Sequence, residues 1–133
     1  MKYGMSDPSN IVIVDDDTGM LLLMRTLVTQ AFPQGRVAEF GSARLALERI
    51  REGMISLVIS DCAMPEMDGF ALVRAIRAGN SAVPILMVSG THDMEKAAME
   101  AGATRYLGKD RVMLELGRCV RELLGVDEGP GCG

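Results

Sequence analysis

Asp61 stands between the apolar run Leu57-Val58-Ile59-Ser60 and the loop Cys62-Ala63-Met64-Pro65-Glu66-Met67-Asp68-Gly69. An acid placed where a buried strand breaks into a Pro/Gly loop is rigidly held and lies near other strand ends. A second acidic cluster, Asp15-Asp16-Asp17, closes the run Ile11-Val12-Ile13-Val14. Ser89 ends a third apolar run, and Lys109 follows the short segment Arg105-Tyr106-Leu107-Gly108. Clustered carboxylates cannot all ionise cheaply without a cation. An all-oxygen ligand set of this kind suits Mg²⁺, which takes one or two carboxylates and keeps several waters. Lys109 adds a fixed positive charge and Ser89 a hydroxyl donor. A dianionic phosphoryl group would satisfy all of these together, as phosphoryl transfer requires. A carboxylate can itself be the nucleophile, giving an aspartyl phosphate.

Such groups need a scaffold that brings several strand ends to one edge. The chain supplies it by alternation. Strands are expected at Ile11 to Val14, Arg36 to Phe40, Leu57 to Ser60, Pro84 to Ser89 and Arg105 to Gly108. Helices are expected from about Gly19 to Gln30, Ala43 to Arg51, Gly69 to Ala78, Met94 to Ala101 and Val112 to Leu124. Ser42 is placed to cap the second helix, and Asp17 is read as a solvated residue or a cap of the first. The first helix is assigned a core face of Met20, Leu23, Met24, Leu27 and Ala31. Strand–helix alternation implies an α/β fold with a parallel sheet covered on both faces, so that its inner strands are continuous apolar runs. Ligands in such sheets bind at the carboxyl ends of the strands, where the strand order reverses.

Composition narrows the function. A chain of 133 residues suits one domain, and 48% hydrophobic content supports a core. A net charge of -4 offers no general attraction to nucleic acid or to an anionic membrane. Aromatics at 4% and the lack of Trp leave no base-stacking platform. Three cysteines, Cys62, Cys119 and Cys132, match no zinc spacing and are read as free thiols. No stretch has the length of a membrane span or the pattern of a signal peptide, so a soluble cytoplasmic protein is expected. Residues 1–9 are read as an N-terminal extension, 10–125 as the domain and 126–133 as a flexible tail.

Over roughly Asn10 to Leu124 the sequence closely resembles the receiver domain of two-component response regulators, in particular single-domain, chemotaxis-regulator-like ones. The block Asp61 to Gly69 carries the resemblance, together with Asp15-Asp16, Ser89-Gly90 and Lys109. It implies a flavodoxin-like doubly wound (βα)5 fold with strand order 2-1-3-4-5. It implies that Asp61 accepts a phosphoryl group from a phosphohistidine on a histidine kinase or a histidine phosphotransfer protein. Asp16, Asp61 and the Ala63 carbonyl would ligate Mg²⁺, with Asp15 acting through a water. Lys109 would pair with the phosphoryl oxygens. Ser89 would shift toward them, and Tyr106 would change rotamer with it. The surface of helix four, strand five and helix five would report the change to an unknown downstream protein, and could mediate a weak dimer of an otherwise monomeric chain. The module would catalyse only its own phosphorylation and dephosphorylation.

Three features depart from the common family pattern or add to it. Lys109 is followed by Asp110 where Pro is usual, so a trans bond, a rearranged loop to Met113 and a capping role for Asp110 are expected. Ala63 has no polar side chain to orient an attacking water, which implies slow loss of the phosphate. Leu21 and Leu22 are expected to point outward from the first helix as a docking patch for the phosphodonor. Two other readings compete. One is a haloacid-dehalogenase-like phosphatase using Asp15 and Asp17, and the other a degenerate receiver serving as an unphosphorylated scaffold.

Overall fold

The structure is a computed structural model that describes residues 9–91 and 93–126. The expected extension and tail, and Cys132, fall almost entirely outside the described residues. In chain order the elements are β1 (Asn10–Val14), α1 (Thr18–Ala31), β2 (Arg36–Phe40), α2 (Ala43–Arg51), β3 (Leu57–Asp61) and α3 (Gly69–Ala78). There follow β4 (Ile85–Ser89), α4 (Glu95–Ala101), β5 (Arg105–Gly108), a 3-10 turn (Lys109–Arg111) and α5 (Val112–Leu123). The five strands form one parallel sheet in the order β2-β1-β3-β4-β5, as the alternation and the resemblance implied.

Side chains alternate across the pleat, and each strand therefore feeds two cores. Val12, Val14, Val58, Ile85 and Met87 pack beneath α2, α3 and α4. Ile11, Ile13, Leu57, Ile59, Leu86 and Val88 pack beneath α1 and α5. Burial on both faces explains why β1, β3 and β4 are nearly continuous apolar runs. The register then sets the site. Val14 pairs with Ser60, Asp61 with Val88, and Ser89 with Gly108, so β1, β3, β4 and β5 all end at one edge. The strand order reverses between β1 and β3, which places Asp15 and Asp61 on either side of the switch point.

The caps match their sequence signals. Asp17 accepts the N–H of Gly19 at 2.9 Å at the start of α1, and Ser42 accepts that of Leu45 at 3.4 Å at the start of α2. The face of α1 differs from expectation. Leu21, Met24 and Val28 are its buried residues, while Met20, Leu23 and Leu27 pack only on the shoulder of the core. Residues 20–24 are all apolar, so periodicity alone left the rotation of the helix open. Leu21 is therefore a core residue and not part of an outward patch; Leu22 remains 65% exposed.

The junction after β5 also differs. No cis peptide bond occurs among the described residues, so Lys109–Asp110 is trans as expected. Asp110 does not cap α5. The N-cap position falls on Arg111 and no side chain bonds to the helix end there. The 3-10 turn runs straight into α5, and Asp110 folds back over Gly108, where its Oδ1 lies 2.6 Å from the position a Cβ would take.

Candidate functional site

The three consecutive aspartates at the end of β1 are divided among three tasks. Asp15 is fully buried and its Oδ1 accepts the N–H of Asp17 at 2.9 Å. Asp16 is exposed at the edge. Asp17 turns away to cap α1. From β3, Asp61 reaches the same place at 6% exposure. Oxygens of Asp15, Asp16 and Asp61 all lie within 4.8 Å of one another.

Lys109 reaches in from the end of β5. Its Nζ lies 3.3 Å from Asp15 Oδ2 and 3.5 Å from Asp61 Oδ1. Burial pulls this ammonium downward, but the charges of Asp15 and Asp61 outweigh it and hold the group above its ordinary value. Asp61 Oδ1 also accepts the N–H of Cys62 at 2.9 Å. One oxygen of Asp61 is thus committed to protein donors. No described residue hydrogen-bonds the other.

One lysine does not balance the site. The contact between Lys109 and Asp15 Oδ2 is ionic but falls short of hydrogen-bond geometry, which leaves a buried carboxylate oxygen without a hydrogen bond. Such an atom is costly unless a cation takes it up. The donors here are all carboxylate oxygens, the set a hard divalent ion prefers. The residues present fit such an ion.

Burial, followed by the charge of Asp61, raises the Asp15 carboxyl above its ordinary 3.8, against the opposing pull of the Asp17 N–H and of Lys109. A folded value above the unfolded one means that ionising Asp15 costs stability. The cost is absent below the unfolded value and is complete once the pH has risen through the folded one. Asp15→Asn is therefore expected to stabilise the protein at neutral pH in a chelator. The gain should show as a higher Tm at neutral pH, and it should vanish in acid. Melting curves at both pH values check it, and a neutral-pH Tm at or below wild type would contradict it.

Ser89, at 5% exposure, ends β4 and is tied to its own loop. Its Oγ accepts the N–H of Thr91 at 3.0 Å and donates to the Thr91 carbonyl at 3.3 Å. The Tyr106 hydroxyl donates to that same carbonyl at 3.1 Å. One backbone group therefore joins the two residues that the resemblance pairs as a switch. Ser89 and Thr91 form the wall between two clefts. One, of about 340 Å³, includes Cys62 and Ala63. The other, of about 280 Å³, includes Tyr106 and Lys109. Ala63 itself is exposed, two residues beyond Asp61. Burial pushes the Cys62 thiol up to about 11, so it is protonated at neutral pH and is a poor nucleophile beside the site.

Two participants escaped the sequence reading. The first is the Thr91 carbonyl, because a backbone acceptor leaves no mark on residue type. The second is the close approach at Gly69, a residue the sequence reading carried only as the end of the Asp61 to Gly69 block. A Cβ there would lie 1.9 Å from the Asp61 carbonyl oxygen and 2.8 Å from Met87 Cε. The Gly69 N–H donates to the Cys62 carbonyl at 3.0 Å, closing the loop from β3 to α3 on itself. The available signal was a Gly at the first position of a helix, where it brings no propensity advantage and so points to close approach.

Known proteins resemble the chain over most of its length. The transcriptional regulatory protein ZraR of Escherichia coli K12 is 38% identical over 108 residues, covering 77% of this chain and 23% of ZraR. PrrA of Mycobacterium tuberculosis is 34% identical over 127 residues, covering 93% of this chain and 53% of PrrA. The chain thus spans about a quarter of one relative and half of the other. Among solved structures, a response regulator described as putative from Chloroflexus aurantiacus superposes with a TM-score of 0.79 at 30% identity, covering 89% of this chain and 98% of that one. Residues 11–120 match the response regulator receiver domain. A doubly wound sheet, acids on both sides of its switch point and a lysine from its last strand thus meet in one sequence match, and the chain belongs to the response regulator receiver domain family.

Proposed function

We propose that this receiver is a phosphoacceptor switch, in which Asp61 takes a phosphoryl group from a phosphohistidine on a histidine kinase or a histidine phosphotransfer protein. The observation that carries this reading is the commitment of Asp61 Oδ1 to Cys62 and Lys109, which leaves Oδ2 as the nucleophile. Oδ2 attacks phosphorus, the P–N bond breaks, and its electron pair returns to the donor imidazole, which takes up a proton. The product is an acyl phosphate on Asp61. Lys109 Nζ is positioned to follow the charge onto the phosphoryl oxygens. The Cys62 N–H holds the carboxylate in a single orientation, which favours in-line attack. Mg²⁺ held by Asp16, Asp61 and the Ala63 carbonyl, with Asp15 acting through a water, would neutralise charge on the transferring group. Ala63 supplies no group to orient a hydrolytic water, consistent with a long-lived phosphate.

Phosphorylation adds about -1.5 to -2 charge at one point. The Ser89 hydroxyl, drawn to the phosphoryl oxygens, gives up Thr91. Tyr106 then loses the carbonyl that holds its hydroxyl in place, and a pre-existing equilibrium shifts. The face of α4, β5 and α5 presents the result to a downstream protein or a second copy of the chain. The setting would be the cytoplasm, and no helix among the described residues is long and apolar enough to cross a membrane.

The test is binding of beryllofluoride, a phosphoryl mimic, in the presence of Mg²⁺. Saturable, Mg²⁺-dependent binding is expected. Its absence would favour an unphosphorylated scaffold.

Leu22 lies on α1, the helix that follows Asp15 to Asp17, and is 65% exposed, and of the two leucines it alone is available for donor docking. Leu22→Glu is expected to slow transfer from the cognate protein donor by about tenfold, with transfer from a small-molecule donor unchanged. Equal loss with both donors, or none with the protein donor, would remove Leu22 from the interface.

A further inference from the structure

Resting on the phosphoacceptor reading of Asp61, we propose that Arg77 is the fixed pivot about which α4 turns when the site is occupied. Arg77 sits in the last turn of α3, at the opposite end of the sheet from Asp61. Its guanidinium holds four acceptors at once. Nε donates to the Gly102 carbonyl at 2.9 Å, and Nη1 to the carbonyls of Ser81 at 3.0 Å and Val83 at 2.7 Å. Nη2 donates to Thr104 Oγ1 at 3.3 Å, and that hydroxyl also accepts the N–H of Ile85 at 3.0 Å. A single planar fork thereby fastens the C-cap of α4 to the end of α3 and to the starts of β4 and β5. The stem of Arg77 adds packing. A Cβ on Gly102 would fall 2.9 Å from Arg77 Cγ, and Gly102 itself has φ +120°.

The other end of α4 is held by far less. Its N-cap residue, Met94, makes no side-chain cap bond, and Asp93 before it has φ 66°, a left-handed conformation that costs a non-glycine residue energy. At that end Met94 packs only partly buried against the core, and within the helix α4 buries only Ala98 and Ala101, whose small side chains contribute little apolar area. A short helix with one clamped end and one loosely held end responds to a push at the loose end by turning about the clamp. The loose end adjoins the loop where Ser89 and Thr91 exchange hydrogen bonds. Arg77 is thus a positioning residue for the switch, remote from the chemistry.

Hydrogen exchange on the full chain, with and without Mg²⁺ and beryllofluoride, tests this for wild type, Arg77→Ala and Arg77→Lys. Arg77→Lys keeps the charge and the stem but loses the fork, and covers the case in which Arg77→Ala fails to fold. Arg49→Ala serves as control, since Arg49 Nη1 makes a similar tie to the Gly53 carbonyl at 3.1 Å on another helix. In wild type and Arg49→Ala, beryllofluoride is expected to change exchange at least about fivefold over residues 93–98 and leave 101–104 unchanged. In the Arg77 variants the change should spread through 101–104, with beryllofluoride affinity within about threefold of wild type. A gradient along α4 that survives in both Arg77 variants would overturn the pivot alone. So would a wild-type change as large at Gly102 as at Glu95. A wild type that binds no beryllofluoride would overturn the acceptor reading and the pivot with it.

Discussion

Asp61→Asn is expected to reduce covalent phosphate to background, a loss of roughly 10³-fold or more, whichever donor is used. The substitution is nearly isosteric. Its amide oxygen can still accept the Cys62 N–H that now holds Asp61 Oδ1 at 2.9 Å, so the loop from β3 to α3 stays in place. What disappears is the second carboxylate oxygen and the charge that Lys109 balances from 3.5 Å. An amide nitrogen has no available lone pair with which to displace an imidazole. Asp15→Asn forms the instructive comparison. Asp15 is wholly buried and one of its oxygens is occupied by the Asp17 N–H, so it is poorly placed to attack anything. That variant should be phosphorylated more slowly but still on Asp61. The opposite pattern, with phosphate surviving Asp61→Asn and lost with Asp15→Asn, would point to the nucleophile of a phosphatase. Radiolabel incorporation from acetyl phosphate distinguishes the two.

Gly69→Ala is expected to be the most damaging single-methyl change near the site. The new carbon would sit 1.9 Å from the Asp61 carbonyl oxygen and 2.9 Å from the carbonyl carbon. These are backbone atoms, so no side-chain rotation relieves the clash. Either α3 withdraws from β3 or the end of β3 shifts, and the second moves Asp61 itself. The cost should lie at the upper end of overpacking penalties, about 3 kcal/mol, with a fall in Tm of roughly 10 °C. Mg²⁺ affinity should fall with it, because the Asp61 carboxylate moves relative to Asp15 and Asp16. Gly79→Ala is the matched control. Gly79 has φ -84°, and its added carbon would meet nothing closer than 3.5 Å. A Gly69→Ala protein that melts within about 2 °C of wild type and binds Mg²⁺ equally well would contradict this picture of the loop.

Much of the fold is legible in residue types because β1, β3 and β4 are buried on both faces and can be little other than apolar runs. The end of each run then marks the edge where Asp15, Asp61 and Ser89 emerge. Long-range geometry is not legible in the same way. The stretch Met20 to Met24 is apolar throughout, so nothing local decides whether Leu21 or Leu23 turns inward; packing against β1 and α5 decides it. Asp110 has the side chain of a helix cap, yet the 3-10 turn that joins β5 to α5 places it one residue too early. The crowding at Gly69 arises from a strand that ends eight residues upstream. The Thr91 carbonyl and the carbonyls gathered by Arg77 are backbone groups that any sequence would carry. Arg77 itself has the spacing of an ordinary last-turn cation on α3.

The phosphoryl acceptor proposed here is Asp61. It is tested most directly by transfer from a phosphohistidine donor in Mg²⁺, followed by borohydride reduction and mass-spectrometric mapping of the modified residue. Homoserine is expected at position 61, and none when Mg²⁺ is chelated. Reduction product at position 15, 16 or 17, or modification that persists without a divalent ion, would contradict it.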